Sequence, residues 1–113
     1  MKRNELARLA ELAGVLLDHR LAGLRQAAEA KAQTERALEG LAAAAKPQPD
    51  GLEGAAAALA TLAYGRWADV RRAEINLVLA RQTHQWLQAR EAAQEAFGKS
   101  EALKKLGEKL AKR

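Results

Sequence analysis

Two histidines, one serine and a Gly-Lys-Ser tripeptide are the residues to which chemistry would first be assigned in this chain. His19 and His84 are isolated, with no second ligand at helical spacing of the kind zinc needs. The chain has no cysteine, which also removes disulfide and thiolate chemistry. Ser100 has no histidine or other base close by in sequence to activate it as a nucleophile. Gly98-Lys99-Ser100 echoes the end of a phosphate-binding loop, but the full pattern needs a glycine at position 93, which is alanine. No strand precedes the tripeptide, so its amides have no reason to form a phosphate cradle. Glu91 and Glu95 are paired carboxylates on an open helical face, where no pocket exists to perturb them. The expectation is a chain that is not an enzyme and holds no metal or cofactor.

The elements that carry these residues follow from composition. Hydrophobic residues make up 49% and aromatic residues 4%, with charged residues at 29%. Alanine and leucine interleaved with Glu, Lys, Arg and Gln is the usage of long helices and coiled coils. Pro47 and Pro49 are the only prolines, and each lacks the N–H and the clearance that a helix interior requires. One interruption near the middle predicts an all-α fold, with two long helices in an antiparallel coiled-coil hairpin. The expected boundaries are a helix over 3–45, a turn over 46–51 and a longer helix over 52–111. Asp50 is the expected N-cap of the second helix, with Glu53 completing a capping box.

Three-and-four spacing of Leu6, Leu9, Ala13, Leu16 and Leu17, continuing through Leu24 to Leu41, gives the first helix its apolar stripe. Leu12 and Val15 widen it, and Lys31, Thr34 and Glu35 weaken it further on. For the second helix the stripe reads Leu52, Leu59, Leu62, Val70, Leu77 and Leu87, then Ala93, Ala96, Phe97, Leu103, Leu106 and Leu110. The spacing slips near Trp86 to Ala89, as a stutter would. Gly54, Gly65 and Gly98 are weak points, Gly98 the candidate break. Folding at the prolines opposes residue n to residue 97 − n, which sets Leu6 against Glu91 and Leu24 against Ala73. The chain after about Phe97 then overhangs as an unpaired amphipathic tail.

That tail is basic. From Lys99 to Arg113 there are six basic residues against two acidic, within a whole-chain charge of +5. Docking to a larger assembly, a solvated end, and binding to nucleic acid or a membrane surface are the three readings of it. The absence of aromatics after Phe97 makes nucleic acid and membrane the poorer ones. Tyr64, Trp67 and Trp86 either cap the seam or anchor a partner. A weak homo-oligomer through the leucines at 103, 106 and 110 is also open. Glu5 and Glu11 interrupt what would be a signal sequence, and no apolar run approaches the roughly 20 residues of a membrane span. The expected location is cytoplasmic.

The Met1-Lys2-Arg3 start, the segment Arg66-Trp67-Ala68-Asp69-Val70-Arg71-Arg72 and the run Phe97-Gly98-Lys99-Ser100-Glu101-Ala102-Leu103 together resemble the FliJ-type stalk proteins of flagellar and virulence type III export. This resemblance implies a non-catalytic stalk that joins the hexameric export ATPase to the membrane export gate, with export chaperones as further partners. It would be peripheral to the inner membrane through those partners. By position it implies an ATPase-facing end at Lys2, Arg3, Lys99, Lys104, Lys105 and Lys109, and a gate-facing half at Tyr64 and Trp67. The competing classes are a small helical adaptor or chaperone and a basic nucleic-acid-associated coiled coil.

Overall fold

The computed structural model describes residues 2–43 and 54–112. Two helices account for nearly all of them, α1 (Arg3–Ala43) and the longer α2 (Ala55–Ala111), packed as a helical hairpin. The expected turn over 46–51, the Asp50 cap and Glu53 lie outside the described residues. The start of the second helix needs correction. Gly54 stands before the helix, not within it, with φ at 63°, a left-handed conformation that costs a side-chain-bearing residue energy. Its carbonyl accepts the first helical hydrogen bond, from the Ala58 amide at 3.1 Å. Gly98 does not break α2, which runs through it without interruption.

The chain divides into a terminal unit, residues 1–29 with 84–113, and a middle unit, residues 30–83. In the terminal unit the opening of α1 packs against the end of α2. Leu6 is buried, and its Cδ2 lies 3.9 Å from the place a Cβ would occupy on Gly107. Arg3 donates from its Nη2 to the Leu110 carbonyl oxygen at 3.1 Å. Ala93, Ala96 and Ser100 supply the other buried positions. The principle of packing is leucine into small residue: Leu17, Leu21 and Leu24 share one hollow with Ala93, and Leu9, Leu12 and Leu16 share another with Ala96 and Ala102. Small side chains on α2 leave room for the bulk on α1, which close packing demands.

Two expectations fail here. Leu6 meets Gly107 where the proline-centred rule set it against Glu91, and Leu24 neighbours Ala93 where that rule gave Ala73. The register is displaced by roughly four to six helical turns, because the leucines of α1 seat on small residues of α2 and the rule took its centre from the prolines alone. As a result the basic segment is not an unpaired overhang. Leu103 and Leu110 are half-buried against α1, while Leu106 and Phe97 remain exposed.

In the middle unit Ala68 and Ile75 are the buried residues. Ala37 lies beside Ile75 and Val78, and Leu41 beside Tyr64 and Ala68. Lys31, Thr34 and Glu35, where the stripe of α1 weakens, turn their polar groups onto α1 itself. Lys31 pairs with Glu35 at 2.7 Å, and the Thr34 hydroxyl donates to the Ala30 carbonyl at 3.2 Å.

The stripe expected for α2 between 59 and 87 is overturned. Leu59, Leu62, Val70, Leu77 and Leu87 are all exposed. The covered face instead reads Tyr64, Ala68, Ile75, Leu79, Gln82, Trp86 and Ala89. It runs on in unbroken three-and-four spacing through Ala93, Ala96, Ser100, Leu103, Gly107 and Leu110. Seen this way there is no stutter. α2 carries two apolar stripes, and the apparent slip near Trp86 is where the outer one ends. Ile75 and Leu77 are two residues apart, which on a helix is about 200°, the opposite face.

Candidate functional site

The six basic residues expected at one end fall in one unit, with Lys2 just before α1, Arg3 in its first turn and the four lysines in the last four turns of α2. All six are exposed. Arg3 is held by the Leu110 carbonyl, a contact that also satisfies one of the carbonyls left open at the end of a helix. Lys99 pairs with Glu95 at 3.2 Å and Lys104 with Glu101 at 3.5 Å, both along α2. These pairs sit in solvent, where they contribute at most about 1 kcal/mol, so both ammonium groups can exchange to a partner carboxylate at little cost. Lys109 is in the last turn of α2, where a cation complements the helix dipole. Across the terminal unit the sequence places twelve basic residues against eight acidic, and across the middle unit seven against six.

Lys99 does more than carry charge. Its stem helps line a hollow of about 460 Å³ with Leu9, Leu12, Leu16, Ala102 and Leu103. A second hollow of about 360 Å³ is lined by Leu17, Leu21, Leu24 and Phe97, with Arg90 and Gln94 at its polar side. Neither hollow was apparent as such in the sequence. The signal was the surplus of leucine on α1, since Leu12 and Val15 lie outside the seam and both are exposed.

The aromatic residues separate into distinct settings. Tyr64 lines a hollow of about 270 Å³ at the α1–α2 contact with Leu41, Thr61 and Ala68. Trp67 is 56% exposed, its ring 5.8 Å from that of Tyr64 and tilted 40° to it. Trp86 belongs to the covered stripe, with the Arg90 guanidinium 5.7 Å from its ring centroid. Of the two residues expected on a gate-facing surface, Trp67 is thus the one with area to offer.

The residues first considered for chemistry are placed as follows. His19 and His84 are exposed on separate helices, and Ser100 is buried in the seam. Gly98, Lys99 and Ser100 lie inside α2, where their amides are helical. Among the described residues no group of three His, Cys, Asp or Glu side chains is placed to hold a metal ion. No helix among them is long and apolar enough to cross a membrane. Compared with known proteins, the chain matches no family model, no curated protein and no solved structure.

Proposed function

We propose that this chain is a non-catalytic stalk component of a type III export apparatus, flagellar or virulence-type. In this reading it works in the cytoplasm and reaches the inner membrane only through its protein partners. The terminal unit engages the ring of the export ATPase, and the exposed Trp67 in the middle unit, with Tyr64 beside it, meets the export gate. Export chaperones are further candidate partners.

One observation carries this reading. Arg3 joins the first turn of α1 to the last turn of α2, so both ends of the hairpin present basic side chains in a single unit. Exposed charge of one sign engages a complementary surface at long range and releases it without breaking a dry interface. A part that must turn or exchange inside a ring needs that kind of contact.

The apolar hollow beside Leu12 favours a second reading, a helical adaptor or chaperone that receives an apolar helix. One experiment separates the two. Binding of the full chain to the purified ATPase hexamer is measured across a salt series, with a variant carrying Lys99→Glu, Lys104→Glu, Lys105→Glu and Lys109→Glu alongside. The stalk reading predicts binding that weakens with salt and is lost in the variant. Undiminished binding by the variant would refute it, and salt-independent binding abolished by Leu12→Asp would favour the adaptor.

A further inference from the structure

Among the described residues nothing covers the outer stripe of α2. In the middle unit Val70 and Leu77 are more than half exposed, and Ala73 and Ala80 between them are exposed as well. Their spacing of three and four residues is that of a coiled-coil seam.

We infer that this stripe is the contact between two copies of the chain, packed α2 against α2 in antiparallel fashion. The charges beside the stripe are what select a second copy as the occupant. With the twofold axis midway between Leu77 and Ala80, Leu77 falls opposite Ala80 of the second copy; flanking positions of an antiparallel seam meet with a two-residue offset, which brings Glu74 to Arg81 of the second copy. Symmetry makes each of these contacts twice. The spacing continues to match along the α2 sequence: Val70 falls opposite Leu87, and on the other flank, with the offset reversed, Asp69 meets Arg90. Moving the axis to 75, half a heptad pair away, sets Glu74 against Glu74, and moving it to 68 sets Asp69 against Asp69. Of these registers only the one at Leu77 and Ala80 sets both Glu74 and Asp69 against an arginine.

Within the chain these charges are engaged locally and in solvent. Glu74 pairs with Arg71 at 3.2 Å and Asp69 with Arg72 at 3.0 Å, both exposed. Such pairs are easily exchanged. This contact is separate from the export reading and does not depend on it. It also differs from an association through the leucines at 103 and 110, which α1 already half covers.

The test is sedimentation equilibrium of the full chain, with helicity followed by circular dichroism. The wild type is expected to be dimeric at micromolar concentration. Glu74→Arg places like charges opposite each other twice and is expected to weaken dimerisation roughly tenfold. The double variant Glu74→Arg with Arg81→Glu restores opposite signs and is expected to recover the wild-type constant. Leu77→Lys is expected to be monomeric with helicity retained, since Leu77 takes no part in the α1 seam. A wild type that stays monomeric to several hundred micromolar overturns the inference. So does a dimer that Glu74→Arg leaves untouched, or one that the double variant fails to rescue.

Discussion

Ile75 and Leu77 are large aliphatic residues two positions apart, and the structure assigns them opposite fates. Ile75 is 6% exposed and Leu77 is 56% exposed. Truncating either to alanine removes three carbons, worth about 0.8 kcal/mol each when fully buried. For Ile75→Ala that is about 2.4 kcal/mol of transfer energy. The cavity contribution should be small, because Ile75 borders a hollow of about 360 Å³ that is open to solvent. Alanine returns a few tenths of a kcal/mol in helix propensity. The net expectation is a loss of about 2 kcal/mol. For Leu77→Ala less than half the side chain is covered, so the loss is below about 1 kcal/mol before the alanine gain. In a domain of this size such changes separate the two variants by several degrees in Tm. Thermal and urea unfolding, followed by helicity at high dilution to keep copies apart, gives both values. The dilution matters because the cost of Leu77→Ala should grow with protein concentration if copies pair through it, and that of Ile75→Ala should not. If Leu77→Ala is the more damaging variant at the highest dilution, the assignment of the two stripes is wrong.

Three further outcomes follow from individual positions. The Gln82 Oε1 is buried with no hydrogen-bond partner among the described residues, so Gln82→Leu should stabilise the fold by about 1 kcal/mol in the same unfolding assay. Gly107→Ala should also stabilise, by up to about 1 kcal/mol, since a Cβ there meets Leu6 at an ordinary 3.9 Å and the helix interior loses a glycine. Gly54→Ala should destabilise by about 1 kcal/mol, because φ at 63° strains any residue with a Cβ.

The fold class was legible in the sequence, and the seam was not. Two prolines in a chain otherwise made of helix formers leave little choice but two helices. The same economy of residue types hides which face of α2 is covered. Hydrophobicity points to Val70, Leu77 and Leu87, and the face used holds Ala68, Gln82, Ser100 and Gly107. Those residues look weak until the leucines of α1 are set against them, because small and large must be matched between helices. A pattern read along one helix contains no such information. The register failed for the same reason: it was drawn from the turn, and Leu6 on Gly107 fixes it from the other end. The basic segment was countable from residue types alone. The packing of that segment against the opening of α1, in place of an overhang, depended on the register and was missed.

The chain has no native cysteine, so pairs of introduced thiols report its register without interference. The most direct test of the account is oxidative cross-linking of Leu6→Cys with Gly107→Cys, compared with Leu6→Cys and Glu91→Cys, in dilute solution. The account predicts a rapid intramolecular disulfide for the first pair and none for the second. A disulfide between positions 6 and 91, with 6 and 107 remaining reduced, would contradict it.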